Sequence, residues 1–177
     1  MSLKDLTKDK HTAAEHTKFM KAIFKGGIKK EIWADFLYQK MLCYNAIELK
    51  AALAGYLDDL PDIARTHKLY KDYVSLVGKE NKNTFRPETA EYHKYLLTLE
   101  DKKILAHMYV WYFGDLSGGQ MIKKIVPGPS ESLNFNNPEE LKNKFRVLLT
   151  DDLADEANLA FDYAIKILSS YDNELGV

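Results

Sequence analysis

Cysteine is almost absent, with Cys43 the only one in 177 residues. A single thiol forms no internal disulfide, no zinc knuckle and no CxxC redox pair. Flanked by Leu42 and Tyr44, it reads as a small buried hydrophobe. One unpaired thiol suits a reducing compartment, so a cytoplasmic location is expected. Long apolar runs are also missing. The longest uncharged run, Ile104 to Gly114, has 11 residues, whereas a membrane span takes about 20. The amino-terminal MSLKDLTKDK carries no apolar core of a secretory signal, and the closing ILSSYDNELGV carries no anchor, so a soluble protein is expected. Charge of one sign is lacking too: 25 Lys and Arg against 26 Asp and Glu leave a net charge of −1. Nucleic acid and anionic membrane find no bulk electrostatic footprint here, so any cationic function is local.

What is present is ordinary for a globular chain, with 46% hydrophobic and 29% charged residues, and the length suits one domain over residues 1–177. A chain of this size buries roughly 70% of its unfolded surface and can hold a ligand in its core. Pro61, Pro87, Pro127, Pro129 and Pro138 fall between stretches of helical spacing and act as punctuation. The spacing predicts seven helices and almost no strand. The first runs from about Lys4 to Lys25 and stops at Gly26 and Gly27. The second, about Lys30 to Tyr56, carries Trp33, Phe36, Leu37, Met41, Tyr44, Ile47 and Ala51 along one stripe. A third follows Pro61 with Ile63, Tyr70, Tyr73, Val74 and Val77, and ends at Gly78. A shorter one starts at Pro87. The fifth opens on Asp101 as N-cap and continues towards Val126, and the last two follow Pro138 and Asp151-Asp152. The fold class is all-α.

Two stretches stand out. Gly114-Asp115-Leu116-Ser117-Gly118-Gly119 interrupts a helical pattern that resumes in QMIKKI, and each glycine inside an exposed helix costs about 1 kcal/mol relative to alanine. The spacing leaves two readings open: a glycine C-cap followed by a loop, or a kinked helix whose bare backbone approaches a flat ligand. Asp115, if buried there, needs a partner or a water; a solvated or capping aspartate is the alternative. The second stretch is LTKDKHTAAEHTKFM, where His11 and Glu15 share a face at i and i+4, with Lys4 and Lys8 on roughly the same face. A carboxylate-oriented histidine is a recurrent metal ligand, while a His–Glu pair on a charged helix is more often solvated surface. His16, His67, His93 and His107 have no spacing that builds a metal cage. HExxH, Walker-type and GxSxG motifs are absent, and no Glu-x-x-His exists to supply a di-iron carboxylate bundle.

HTAAEHTKFM together with YVWYFGDLSGGQMIKK resembles the heme oxygenase family, over about Leu6 to Tyr171. The resemblance implies a helical bundle with heme between a proximal and a kinked distal helix. It implies His11 as the iron ligand and Glu15 as the group orienting its ring. Gly114, Gly118 and Gly119 would let the distal backbone cross the porphyrin, and Asp115 would hold a water network with Tyr44 and Tyr109. Lys4, Lys8, Lys142 and Arg146 would meet the propionates, and Phe161 would line the pocket. The chain departs from the pattern at Trp111, where many relatives carry an arginine of the distal polar network, and at His16, where asparagine is common. Heme b would be both substrate and cofactor. With O2 and external electrons, it would be opened at the α-meso carbon to biliverdin IXα, CO and ferrous iron. The donor implied is reduced ferredoxin, docked on the lysines at positions 4, 8, 10 and 18, since no flavin, nicotinamide or iron–sulfur fingerprint is present. Relatives of this soluble type belong to bacteria, plastids and their viruses and feed bilin synthesis, which places the chain in cytoplasm, plastid stroma or host cytoplasm. A ferritin-like or thiaminase-like bundle is disfavoured by the missing Glu-x-x-His pairs. The alternative on the same fold is a non-catalytic heme carrier or sensor, against which Asp115 argues, because storage needs no distal proton relay.

Overall fold

The computed structural model describes residues 1–176 and contains ten α-helices and no strand among them. The difference from seven lies in two places. The expected first helix is three: α1 (Leu3–Leu6), α2 (Lys8–Glu15) and α3 (Lys18–Phe24). Local side-chain bonds outcompete the continuous ladder. Ser2 and Asp5 form a reciprocal capping box around α1. Thr7 donates its hydroxyl to the Leu3 carbonyl over 2.9 Å. Thr17 turns extended and accepts from the Met20 N–H, capping α3. The second division is in the glycine stretch. α7 (Lys103–Leu116) stops at Ser117, with φ −115° and ψ −88°, and a single turn, α8 (Gly119–Ile122), follows. Asp101 is not a cap: it takes a left-handed φ of 53°, which aspartate tolerates better than most residues, and α7 begins after it.

The other elements are α4 (Lys30–Leu53), α5 (Thr66–Val77), α6 (Pro87–Thr98), α9 (Pro138–Leu148) and α10 (Ala154–Ser169), with 3-10 turns at Glu131–Leu133 and Asp151–Leu153. Pro87 and Pro138 stand in the first turns of α6 and α9, where the missing N–H costs nothing. Ile63 is buried in the connection ahead of α5, and Gly78 closes α5 with a φ of 82° that favours glycine. α4 is buried on several sides because α5, α6 and α7 all pack on it, and the stripe from Trp33 to Ala51 is buried except for half-buried Met41. α7 lies between α4 and α10, and α10 also supports α2 and α3. No helix among the described residues is long and apolar enough to cross a membrane.

The bend after α7 is held from below. Asp72 of α5 accepts the backbone N–H groups of Glu131 and Ser132, each at 2.9 Å. Fully buried Arg65 donates to the Asn134 carbonyl over 2.7 Å and lies over the Phe135 ring. These contacts fix the turn that carries Leu133. Gln120 then joins the two layers, donating to the Asp115 and Leu133 carbonyls over 2.9 and 2.8 Å.

Candidate functional site

α2 is unusual in burying none of its residues. It rests on α10 through Lys10 and Asp162, 2.5 Å apart, and through the edge of His11 against Phe161, with ring centroids 5.9 Å apart, while the Asn158 amide of α10 donates to the Leu6 carbonyl at the end of α1. The His11 side chain is 57% exposed, and its Nε2 is 3.7 Å from Glu15 Oε1, too long for a hydrogen bond. The pair is therefore loose, and an exposed pair of this kind contributes little to stability. Phe161 itself is buried. His16 caps the end of α2 and is exposed.

α7 divides cleanly by face. Ile104 to Met108, Trp111, Tyr112, Asp115 and Leu116 are buried, whereas Tyr109, Val110 and Phe113 are half-buried and Gly114, Ser117 and Gly118 are exposed. The open face is therefore aromatic at one end and bare backbone at the other. A Cβ added at Gly114 would meet nothing within 4 Å, and at Gly118 only the Gly114 carbonyl at 3.8 Å. Gly119 is different. It faces inward, where a Cβ would come within 3.1 Å of the Leu133 side chain, so its small size serves the bend itself.

Asp115 is buried, 6% exposed, and both carboxylate oxygens are engaged from α4. Oδ1 accepts from Lys40 Nζ at 2.5 Å and Oδ2 from the Tyr44 hydroxyl at 2.6 Å. Burial, with the Asp115 charge next to it, pushes the Tyr44 phenol well above its usual range, so Tyr44 stays a donor. Tyr109, expected beside Asp115, instead has its hydroxyl 3.4 Å from that of Thr7. The Trp111 N–H points away, donating to Tyr92 over 3.1 Å. Tyr92 meets His107 Nδ1 at 2.7 Å, and His107 Nε2 meets Glu156 at 2.9 Å.

The expected basic positions fall into two groups. Lys4 and Lys8 are exposed on α1 and α2. Lys142 and Arg146 lie one turn apart on α9, which packs on α7, with the Arg146 guanidinium 5.5 Å from the Phe113 ring centre and Lys142 near Glu139. Lys40 is the residue that sequence reasoning missed. Its signal was a charged side chain one turn before Tyr44 inside a stripe that is otherwise apolar. A separate open cleft of about 620 Å3, lined by Lys30, Asp35, Val77 and Asn83 among others, contains none of these groups. It has size but not the site's chemistry, and no group of three metal-ligating side chains exists among the described residues.

The all-helical fold is shared with solved heme oxygenases. Heme oxygenase-1 from Synechocystis sp. PCC 6803, in complex with heme, superposes with a TM-score of 0.88 at 24% identity, over 98% of this chain and 91% of that one. Heme oxygenase-2 from the same organism, in complex with heme and NO, gives 0.86 at 26% identity, over 98% and 84%. A family model described as heme oxygenase matches residues 1–170. The chain belongs to the heme oxygenase family. Its sequence is 30% identical to heme oxygenase 2 of Oryctolagus cuniculus, covering 96% of this chain and 65% of that protein. It is also 24% identical to heme oxygenase 1 of Synechocystis, covering 98% and 84%. The chain thus spans just under two thirds of the mammalian relative's length.

Proposed function

We propose that the chain is a heme oxygenase that opens heme b at the α-meso carbon to biliverdin IXα, with release of CO and ferrous iron. O2 is the second substrate and reduced ferredoxin the electron source. One observation carries the reading: α7 presents bare backbone at Gly114 and Gly118 with open space where a Cβ would stand, and its Tyr109 reaches Thr7 at the head of the helix that bears an exposed, weakly held His11. The residues fit an iron porphyrin. A flat macrocycle needs a wall without Cβ atoms, aromatic edges and one nitrogen ligand, and Gly114, Gly118, Phe113, Phe161 and His11 supply these.

Bound heme supplies both the iron that activates O2 and the ring that is oxidised. His11 is the iron ligand in this reading, and its imidazole donates less electron density than a thiolate would, which disfavours O–O cleavage. Glu15 is within reach to orient the ring once it is fixed. Asp115, held by Lys40 and Tyr44, is an acceptor for water on the distal side, and Tyr109, whose hydroxyl is 3.4 Å from that of Thr7, stands elsewhere on α7. Lys4 and Lys8 on one side and Lys142 and Arg146 on the other are cationic partners for the propionates, which set the rotation of the ring. That rotation decides which meso carbon is presented, and a misplacement of about 1 Å can cost on the order of 10²-fold in rate. Lys4, Lys8 and Lys18 carry no ion pair among the described residues and offer a surface for an acidic electron donor.

The test is direct. Hemin titration should raise a Soret band, and hemin with ferredoxin, its reductase and NADPH should then give a bilin absorbance band. A Soret band without any bilin under those conditions leaves a heme carrier rather than an oxygenase.

A further inference from the structure

A buried carboxylate is costly unless a counter-charge and hydrogen bonds meet it. α7 offers Asp115 no such charge. The residue one turn earlier is Trp111, whose N–H is spent on Tyr92. The charge comes from α4. Lys40 is itself buried, with 8% of its side chain exposed, and its ammonium is 2.5 Å from Asp115 Oδ1. The same ammonium lies 5.2 Å from the centre of the Tyr44 ring. Lys40 and Tyr44 are at i and i+4, so one face of α4 grips both oxygens of the carboxylate. A carboxylate has about four lone-pair positions. Lys40 and Tyr44 occupy one on each oxygen, leaving one on each for water or ligand.

We propose that Lys40 is a positioning residue for the reaction. It supplies from α4 the cation that position 111 does not, pairing with Asp115 Oδ1 and fixing the carboxylate's rotamer so that the free lone pairs face the distal side. The inference rests on the reading of Asp115 as the distal carboxylate of a heme oxygenase. Tyr112 of α7 and Glu48 of α4, joined by a 2.9 Å hydrogen bond, are the other titratable groups that act on Tyr44 here. Both add negative character or none, so neither replaces Lys40.

The experiment has a heme-free arm and a hemin arm, using Lys40→Met, Lys40→Arg, Asp115→Asn and the Lys40→Met/Asp115→Asn double variant. In the heme-free protein Lys40→Met should lower Tm, and the double variant should recover most of the loss, because the unpaired charge is gone. Strictly additive Tm losses would overturn the pairing. In the hemin complex, Lys40→Met should bind hemin with wild-type affinity but form bilin about 100-fold more slowly, the scale of a small misplacement. The alkaline transition of the ferric spectrum should move to higher pH, since a cation has been removed from beside the distal face. Lys40→Arg should restore both. Wild-type turnover and an unmoved transition in Lys40→Met would overturn this assignment alone. A wild-type protein that forms no bilin overturns the functional reading and this assignment with it.

Discussion

The Trp111 indole donates its N–H to the Tyr92 hydroxyl over 3.1 Å rather than to Asp115, although its ring packs edge-on against Tyr44, the partner of that carboxylate. The departure from an arginine at this position therefore does not leave a partly altered network around Asp115. It divides the polar groups of α7 into two systems. One is Asp115 with Lys40 and Tyr44; the other runs from Trp111 through Tyr92 and His107 to Glu156.

The second system has a direction, and the direction gives a pH dependence. With His107 neutral, Trp111 donates to Tyr92, Tyr92 donates to Nδ1, and the Nε2–H donates to Glu156. Burial lowers the His107 pKa below its usual 6.5, against the opposing pull of Glu156. Below about pH 6.5 the unfolded chain takes up a proton that the folded protein refuses, so stability falls as pH drops towards the folded value. Thermal unfolding followed from about pH 8 to about pH 5 should show this loss, and His107→Gln should flatten it. A profile as steep in the variant would assign the loss elsewhere. Asp35 contributes only at lower pH: burial pushes its carboxyl up, but Tyr171, Arg86 and Asn83 outweigh that and hold it below its usual range.

The loose His11–Glu15 pair, with Nε2 of an exposed ring 3.7 Å from the carboxylate, motivates a ligand test. His11→Ala should remove the nitrogen ligand and change the ferric hemin spectrum. An unchanged spectrum would mean that another group holds the iron.

Asp115 carries a charge in an otherwise apolar wall, so its loss should separate binding from chemistry. Asp115→Ala should keep hemin affinity while bilin yield collapses in the coupled ferredoxin assay. Normal yield would strip Asp115 of its role. Apo Tm should fall as well, because Lys40 is left buried and unpaired.

The glycines give a prediction with opposite signs. Gly114 has open space where a Cβ would stand, and Gly119 has Leu133 at 3.1 Å. Gly114→Leu should leave the heme-free protein as stable or raise Tm by about 2–4 °C, from a helix-propensity gain of about 1 kcal/mol, while hemin affinity drops at least about tenfold. Gly119→Ala should lower Tm with hemin absent. Equal effects of the two on hemin affinity would remove Gly114 from the ligand face.

Arg146 stands near Phe113 on the α7–α9 side, and Lys8 is exposed on α2. Charge reversal at both should weaken hemin binding or mix the biliverdin isomers resolved by chromatography. A single isomer at full affinity would show that these two do not hold the propionates.

Periodicity carried the fold because α4, α5, α9 and α10 are bounded by proline, glycine or aspartate that the chain cannot read in more than one way. It failed where a small polar side chain bonds its own backbone. Thr7 and Thr17 divide the first helix at points where apolar spacing runs on unbroken. The pairing of Asp115 with Tyr44 was legible, because residue type and position coincide at both. Lys40 was hidden because its meaning is tertiary. A lysine in an apolar stripe becomes a counter-ion only when a carboxylate from 75 positions later arrives opposite it. Tyr109 erred in the other direction, since its spacing from Asp115 puts the two on different sides of α7.

α2 contributes no side chain to the interior and is tied to α10 by a few surface contacts. Elements with so little buried area detach at a small fraction of the global unfolding free energy. The wall bearing His11 is accordingly the hinged panel of the molecule, and α7, wedged between α4 and α10, is its fixed jamb.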